Sequence, residues 1–68
     1  MTTKYDIGDV LKTIDYNDKV CCSDIVKITI FSDKVLYTLS NKIVVSETFE
    51  DDAFYRLIGK VGNINNMN

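Results

Sequence analysis

Residues 24–39 read DIVKITIFSDKVLYTL and contain the strongest structural signal in the chain. On each side of Ser32-Asp33 the side chains alternate with a period of two, which is the spacing of a β-strand. Ser and Asp are turn-forming residues, so a two-residue loop is predicted to place Phe31 opposite Lys34. The stretch therefore predicts an antiparallel hairpin.

In this register the hairpin has one apolar face and one mixed face, because residues opposite each other share a face. The apolar face, predicted to be the core side, is formed by Val26, Ile28, Ile30, Val35, Tyr37 and Leu39. The mixed face is formed by Ile25, Lys27, Thr29, Phe31, Lys34, Leu36 and Thr38. We expect part of the mixed face to be a contact surface.

One further strand is predicted upstream of the hairpin, and the first strand of the hairpin is predicted to extend back towards it. A short strand spans Val10 to Ile14, and the polar turn Asp15-Tyr16-Asn17-Asp18 follows it. The next strand begins near Val20, and a bend or bulge is expected near Ser23-Asp24.

A fourth strand, from Ile43 to about Glu47, is predicted after the break Ser40-Asn41-Lys42. The length of the loop decides which of its residues face inward, since a slip of one residue exchanges the faces. We favour a three-residue loop, which places Ile43 and Val45 in the core. A two-residue loop remains the alternative.

Residues 49–58 are predicted to form a short C-terminal helix. Thr48 is a candidate N-cap, and Glu50, Asp51 and Asp52 lie in the first turn, where the helix dipole favours negative charge. The apolar stripe expected at helical spacing consists of Phe49, Ala53, Phe54, Leu57 and Ile58, and Gly59 is the expected end.

Sixty-eight residues allow one small domain, predicted to span residues 1–62, and residues 63–68 are polar and predicted to be a flexible tail. The net charge is −2, with eight basic and ten acidic residues, which argues against broad capture of nucleic acid phosphates. A local basic strip remains compatible with this balance.

The chain contains no histidine, tryptophan or proline. Without histidine, a nucleophile lacks its usual base and zinc lacks its commonest nitrogen ligand. Glycines are isolated, so no phosphate-binding loop can be drawn, and the segment 15–19 lacks the spacing of a calcium loop. We therefore expect no catalytic residues, no metal and no cofactor, and hence not an enzyme.

Cys21 and Cys22 are adjacent on a predicted strand and so point to opposite faces. We expect two free, buried thiols and therefore a reducing, cytoplasmic compartment. The first six residues lack the apolar segment of a signal peptide, and no window approaches the ~20 apolar residues of a membrane span. No membrane partner is expected.

The phrase YDIGDVL at residues 5–11, followed by a long strand, a tight hairpin and the acidic phrase SETF at residues 46–49, resembles small SH3-like β-barrel modules of bacterial or phage origin. The resemblance implies a mainly β fold: a small antiparallel SH3-like barrel or a curled four-stranded sheet, here with one short helix. The tryptophan of many such binding grooves is missing, and no functional residue is carried over.

One short helix cannot cover both faces of the predicted sheet, so another molecule is expected to cover the remainder. The leading hypothesis is a non-catalytic module that docks onto a protein, of the kind a phage or mobile element uses to inhibit a host defence factor in the host cytoplasm. The candidate binding residues are Ile25, Lys27, Phe31, Lys34 and Leu36 on the hairpin, Glu50, Asp51 and Asp52 at the helix start, and Tyr16 and Tyr55.

Two alternatives remain open at this point. Lys27, Phe31 and Lys34 combine an aromatic ring with basic side chains, as in surfaces that bind single-stranded nucleic acid or nucleotides. The exposed apolar surface is also compatible with a purely structural homo-oligomer, such as a homodimer.

Overall fold

The computed structural model describes residues 2–66. It contains five strands: β1 (Asp9–Asp15), β2 (Val20–Ile30), β3 (Val35–Leu39), β4 (Val44–Ser46) and β5 (Tyr55–Asn63). They form one antiparallel sheet in the order β4-β3-β2-β1-β5, which curls into a half-barrel. The prediction of a mainly β chain with a curled antiparallel sheet is confirmed, and this shape is compatible with an SH3-like fold.

The hairpin formed by β2 and β3 has the predicted turn and register at its tip. The Phe31 N–H donates to the Lys34 carbonyl over 2.8 Å, and Ile30 lies opposite Val35. Ser32 and Asp33 are therefore the whole loop, as the sequence predicts.

The other end of the hairpin differs from the prediction because β2 has a bulge at Val26 and not at Ser23-Asp24. Ile25 lies opposite Leu39, whereas Lys27 already lies opposite Thr38, so one extra residue is inserted between these pairs. The bulge exchanges the faces: Ile25 is completely buried and Val26 is 52% exposed. The assignment of Ile25 to the mixed face and of Val26 to the core is wrong.

The core lies on the inner side of the half-barrel and draws on four of the strands. Its buried members are Leu11, Ile25, Val35, Tyr37, Leu39 and Val45, and the half-buried Tyr5, Ile28, Ile43, Tyr55 and Leu57 pack against them. Each fully buried aliphatic side chain of this kind contributes about 1.5–3 kcal/mol relative to exposure.

The loop before β4 has three residues, as favoured by the sequence. The Leu39 N–H donates to the Ile43 carbonyl over 2.8 Å, and Lys42 adopts a left-handed backbone with φ of 73°. Val45 is buried and Val44 is exposed, so the predicted inward side of β4 is confirmed.

Residues 49–58 do not form the predicted helix. Residues 49–54 form a connection with a turn at 50–53, and β5 then pairs with β1 from Asp15 opposite Tyr55 to Asp9 opposite Asn63. Without β5, one side of β1 would have no backbone hydrogen-bond partners. This long-range pairing outweighs the local helical pattern, and Gly59 lies within a strand.

Two other sequence predictions concern the thiols and the tail. The two cysteines are free, but Cys21 is half-buried and Cys22 is exposed, so the prediction of two buried thiols is wrong.

Of the segment assigned to the tail, Asn63 ends β5 and Ile64–Asn66 form a single 3-10 turn. Met67 and Asn68 lie outside the described residues, and flexibility of the segment stays a prediction.

The buried carboxylate of Asp9 joins the turn before β1 to the last strand, β5. Asp9 accepts hydrogen bonds from the Asp6 N–H over 2.9 Å and from the Asn63 amide over 2.8 Å, and the Lys60 ammonium lies 3.1 Å away. These hydrogen bonds hold the pKa of Asp9 below its usual value, and the bond from the Asn63 side chain has the largest effect. Asp9 therefore ties the N-terminal turn to β5.

Replacing Asp9 with Ala is expected to lower the free energy of unfolding by about 1–3 kcal/mol, because it removes the acceptor of the part-buried hydrogen bonds from the Asp6 N–H and the Asn63 amide. Urea unfolding followed by circular dichroism measures the change. Asp33→Ala, in the exposed hairpin loop, is the control and is expected to change stability by less than about 0.5 kcal/mol. Equal effects of both variants would contradict this role for Asp9.

Candidate functional site

Two loops meet at one end of the half-barrel and form a cleft of about 330 Å³. One loop is the β1–β2 turn, which contributes residues within 15–18. The other is the β4–β5 connection, residues 47–54, which contributes residues within 49–54. Tyr16, Phe49 and Phe54 are the aromatic residues that line it, and we call it the aromatic cleft. A shallower depression of about 250 Å³ adjoins it and shares Tyr16 and Phe54.

The β1–β2 turn holds Tyr16 away from the core. One carboxylate oxygen of Asp15 accepts the backbone N–H groups of Asn17 and Lys19, at 2.8 and 2.9 Å. Asp18 adopts a left-handed backbone with φ of 63°, which Asp tolerates better than most residues. With its backbone fixed in this way, the turn leaves the Tyr16 side chain 71% exposed.

The β4–β5 connection supplies the other two rings. The Ala53 N–H donates to the Glu50 carbonyl over 3.2 Å and so closes a tight turn between Phe49 and Phe54. The two phenylalanines are 61% and 69% exposed. The helical spacing of residues 49–58 predicts both on the buried stripe of a helix, so the sequence does not reveal them as surface residues.

Aromatic interactions link the two loops. The Tyr16 and Phe54 rings lie 5.4 Å apart in an edge-to-face arrangement at 64°. The Arg56 guanidinium lies over the Phe49 ring, 4.8 Å from its centroid. Contacts of both kinds are favourable when the ring is accessible, so they order the cleft without burying it.

Negative charge surrounds these rings. The residues that line the cleft include four acidic ones, Asp15, Asp18, Glu50 and Asp51, and one basic one, Arg56. Asp52 lies in the adjoining depression. The cleft thus combines exposed aromatic surface with an excess of carboxylates.

The fold brings four of the predicted site residues together at this cleft: Tyr16, Glu50, Asp51 and Asp52. The sequence assigned the acidic residues to a helix start, whereas they lie in a connection between strands. Tyr55 was expected to be exposed on that helix, but it begins β5 and its half-buried ring packs against the core. That expectation is wrong.

The other predicted residues lie at the far end of β2. Phe31 is 44% exposed, and the Lys34 ammonium lies 5.5 Å from the centroid of its ring. Lys27 is exposed and Leu36 is half-buried on the same outer face, whereas Ile25 is in the core and cannot contact a partner. β2 has eleven residues, and the hairpin tip and the aromatic cleft lie at its opposite ends.

Two groups with shifted pKa values, Tyr37 and Glu47, lie away from the cleft on the inner side of the sheet. The buried Tyr37 hydroxyl donates to the Glu47 carboxylate, which also accepts the Lys4 N–H over 3.0 Å. Burial, and then the bond to Glu47, raises the pKa of Tyr37 to about 12, and the Tyr37 hydroxyl lowers the pKa of Glu47. None of these groups lines the aromatic cleft, and their hydrogen bonds hold the N-terminal segment against the core.

The Tyr37–Glu47 pair is expected to limit stability at both pH extremes. Because the folded pKa of Tyr37 is raised, its contribution is present below pH 10 and is lost as the pH rises towards 12. Because the folded pKa of Glu47 is lowered, its contribution is present above about pH 4.5 and is lost as the pH falls below that value.

Thermal unfolding between pH 2 and pH 12 measures this dependence, and Tyr37→Phe is the matched variant. It removes the hydroxyl but keeps the ring, so it is expected to flatten the loss of stability between pH 10 and pH 12. If Tyr37→Phe loses as much stability between pH 10 and pH 12 as the parent does, the hydroxyl of Tyr37 is not the cause of that loss.

Comparison with protein-family models, with curated proteins and with solved structures finds no match to this chain. Within residues 2–66, no three His, Cys, Asp or Glu side chains are grouped so that they could hold a metal ion. In the same part of the chain, no helix has the length and apolar character needed to cross a bilayer.

Proposed function

We propose that this chain is a non-catalytic binding module that docks onto a protein partner through the aromatic cleft. The observation that carries the proposal is the presence of three exposed aromatic rings in one cleft, two of them from the same short connection. Aromatic side chains supply large contact areas with few rotatable bonds and dominate the binding energy of protein interfaces.

The balance of apolar surface also supports a partner. Among residues 2–66, seven hydrophobic residues are buried, whereas twelve large hydrophobic side chains are exposed. Single exposed hydrophobic residues are ordinary, but a group of them around one cleft is typical of an interaction site. The exposed side chains at the cleft therefore support a partner that covers them.

The finer form of the proposal is an accessory protein of a phage or mobile element that acts in the host cytoplasm and inhibits a host factor, as anti-defence proteins do. Its support is the small size, the composition rich in Asn and Lys, and the lack of histidine. Inhibition by occlusion needs only a docking surface, which the aromatic cleft supplies.

The proposal is tested by capture of partners on the tagged chain, followed by quantitative mass spectrometry. Phe54→Ser removes one exposed ring of the cleft and is expected to reduce recovery of the partner at least about tenfold, since an aromatic anchor contributes ~2 kcal/mol or more. Because Phe54 lies outside the core, the variant is expected to unfold at the same temperature as the parent.

Phe31→Ser is the matched control, because it makes the same change at an exposed ring at the opposite end of β2. It is expected to leave capture unchanged. Loss of capture in Phe31→Ser but not in Phe54→Ser would place the docking surface on the hairpin and contradict the proposal.

A nucleic acid or nucleotide binder is the second candidate, favoured by the Lys34 ammonium over the Phe31 ring and by the exposed Lys27. In that case a single-stranded oligothymidine probe would bind with an affinity that falls steeply with salt, and Lys27→Gln would weaken it. A structural homo-oligomer, the third candidate, would show a multiple of the 7.7 kDa chain mass by light scattering at micromolar concentration.

A further inference from the structure

We propose that the aromatic cleft recognises an arginine side chain presented by the partner protein. This inference rests on the proposed function and specifies the chemistry of the partner. It follows from three observations. The Phe49 ring already has a guanidinium stacked on it, the Tyr16 and Phe54 rings form an exposed pair beside it, and acidic residues outnumber basic ones around all three rings.

The first observation is an arginine site within the molecule itself. The guanidinium of Arg56 lies 4.8 Å from the centroid of Phe49, within the ~6 Å at which a cation is attracted by the face of an aromatic ring. The geometry of this connection thus accommodates a planar cation on a ring beside carboxylates. An incoming arginine would repeat the same contact on the neighbouring rings.

The second observation concerns the neighbouring rings, Tyr16 and Phe54. They contact each other edge to face at 5.4 Å, and more than two thirds of each side chain is exposed. The Arg56 guanidinium stacks on Phe49, and no cation–π contact in the described chain involves Tyr16 or Phe54. These two rings therefore remain accessible to a cation from another molecule.

The third observation is the charge, which decides the class of occupant. Four carboxylates and one guanidinium give the lining of the cleft a formal charge of −3, while the whole chain has −2, so the remainder of the chain has a net charge of +1. Phosphates of a nucleic acid and anionic lipid headgroups would be repelled here. A basic protein segment is attracted.

Arginine fits this cleft better than lysine does. The planar guanidinium stacks on an aromatic face and at the same time directs paired N–H donors at carboxylates, whereas the lysine ammonium is a compact and strongly hydrated charge. Glu50 and Asp51 supply carboxylates next to the rings. The cleft therefore matches both features of an arginine side chain.

The test uses the full chain and a capped octapeptide of Gly and Ser that contains two arginines. Binding is measured by isothermal titration and by NMR shifts of the labelled protein. A peptide with citrulline, which keeps the shape but has no charge, is expected to bind about tenfold more weakly, and a lysine peptide is expected to lie between the two. The shifts are expected at residues 14–18 and 49–56.

The matched variants are a double substitution in the cleft, Glu50→Gln with Asp51→Asn, and Asp33→Asn in the distant hairpin loop. The cleft variant is expected to lower the affinity for the arginine peptide at least about fivefold and to reduce its dependence on salt. Asp33→Asn is expected to change neither. Asp15 is left in place because its carboxylate caps the β1–β2 turn.

Equal affinity for the arginine and citrulline peptides, or shifts centred on the hairpin, would overturn the arginine site. The proposed function is judged separately by partner capture. If Phe54→Ser abolishes partner capture while the Glu50→Gln, Asp51→Asn variant does not, the cleft binds a protein but does not recognise an arginine side chain. If neither variant changes capture, the proposed function fails as well.

Discussion

The hydrogen bonding of β1 on both of its sides is the constraint on which the rest of the structure depends. β1 lies between β2 and β5, and its backbone would lack partners on one side if residues 55–63 adopted any other conformation. The pairing draws the chain after β4 back along β1 and brings β5 into contact with β4, which curls the sheet. Bulges in the pairing between β1 and β5 assist this curvature, since each extra residue bends and twists the strand.

The aromatic cleft is a direct result of the same constraint. Because β5 must begin opposite the end of β1, the connection at residues 49–54 is placed beside the β1–β2 turn. Phe49 and Phe54 lie in this connection, outside the sheet, and both are exposed. Their exposure follows from topology, and the acidic residues between them supply the solubility that such a surface requires.

Local patterns predicted the parts of the fold that depend on local chemistry. The two-residue turn at Ser32-Asp33, the three-residue loop before Ile43 and the Asp-rich turn after β1 all follow from turn-forming residues between alternating strands. The bulge at Val26 and the strand β5 could not be predicted in this way. Each is determined by pairing with a distant strand, and residues 49–58 have a helical spacing that only the free edge of β1 overrides. For this reason Tyr16 and the acidic residues were found as site candidates, whereas Phe49 and Phe54 were missed.

The two loops of the cleft are more than thirty residues apart in the chain and are held together by the ladder between β1 and β5. Local opening of β5 would separate them, so a competent cleft exists only in molecules in which this edge strand is docked. Occupancy of the cleft and docking of β5 are therefore thermodynamically linked, and a bound partner would slow amide hydrogen exchange along the whole of β5, well beyond the residues it touches.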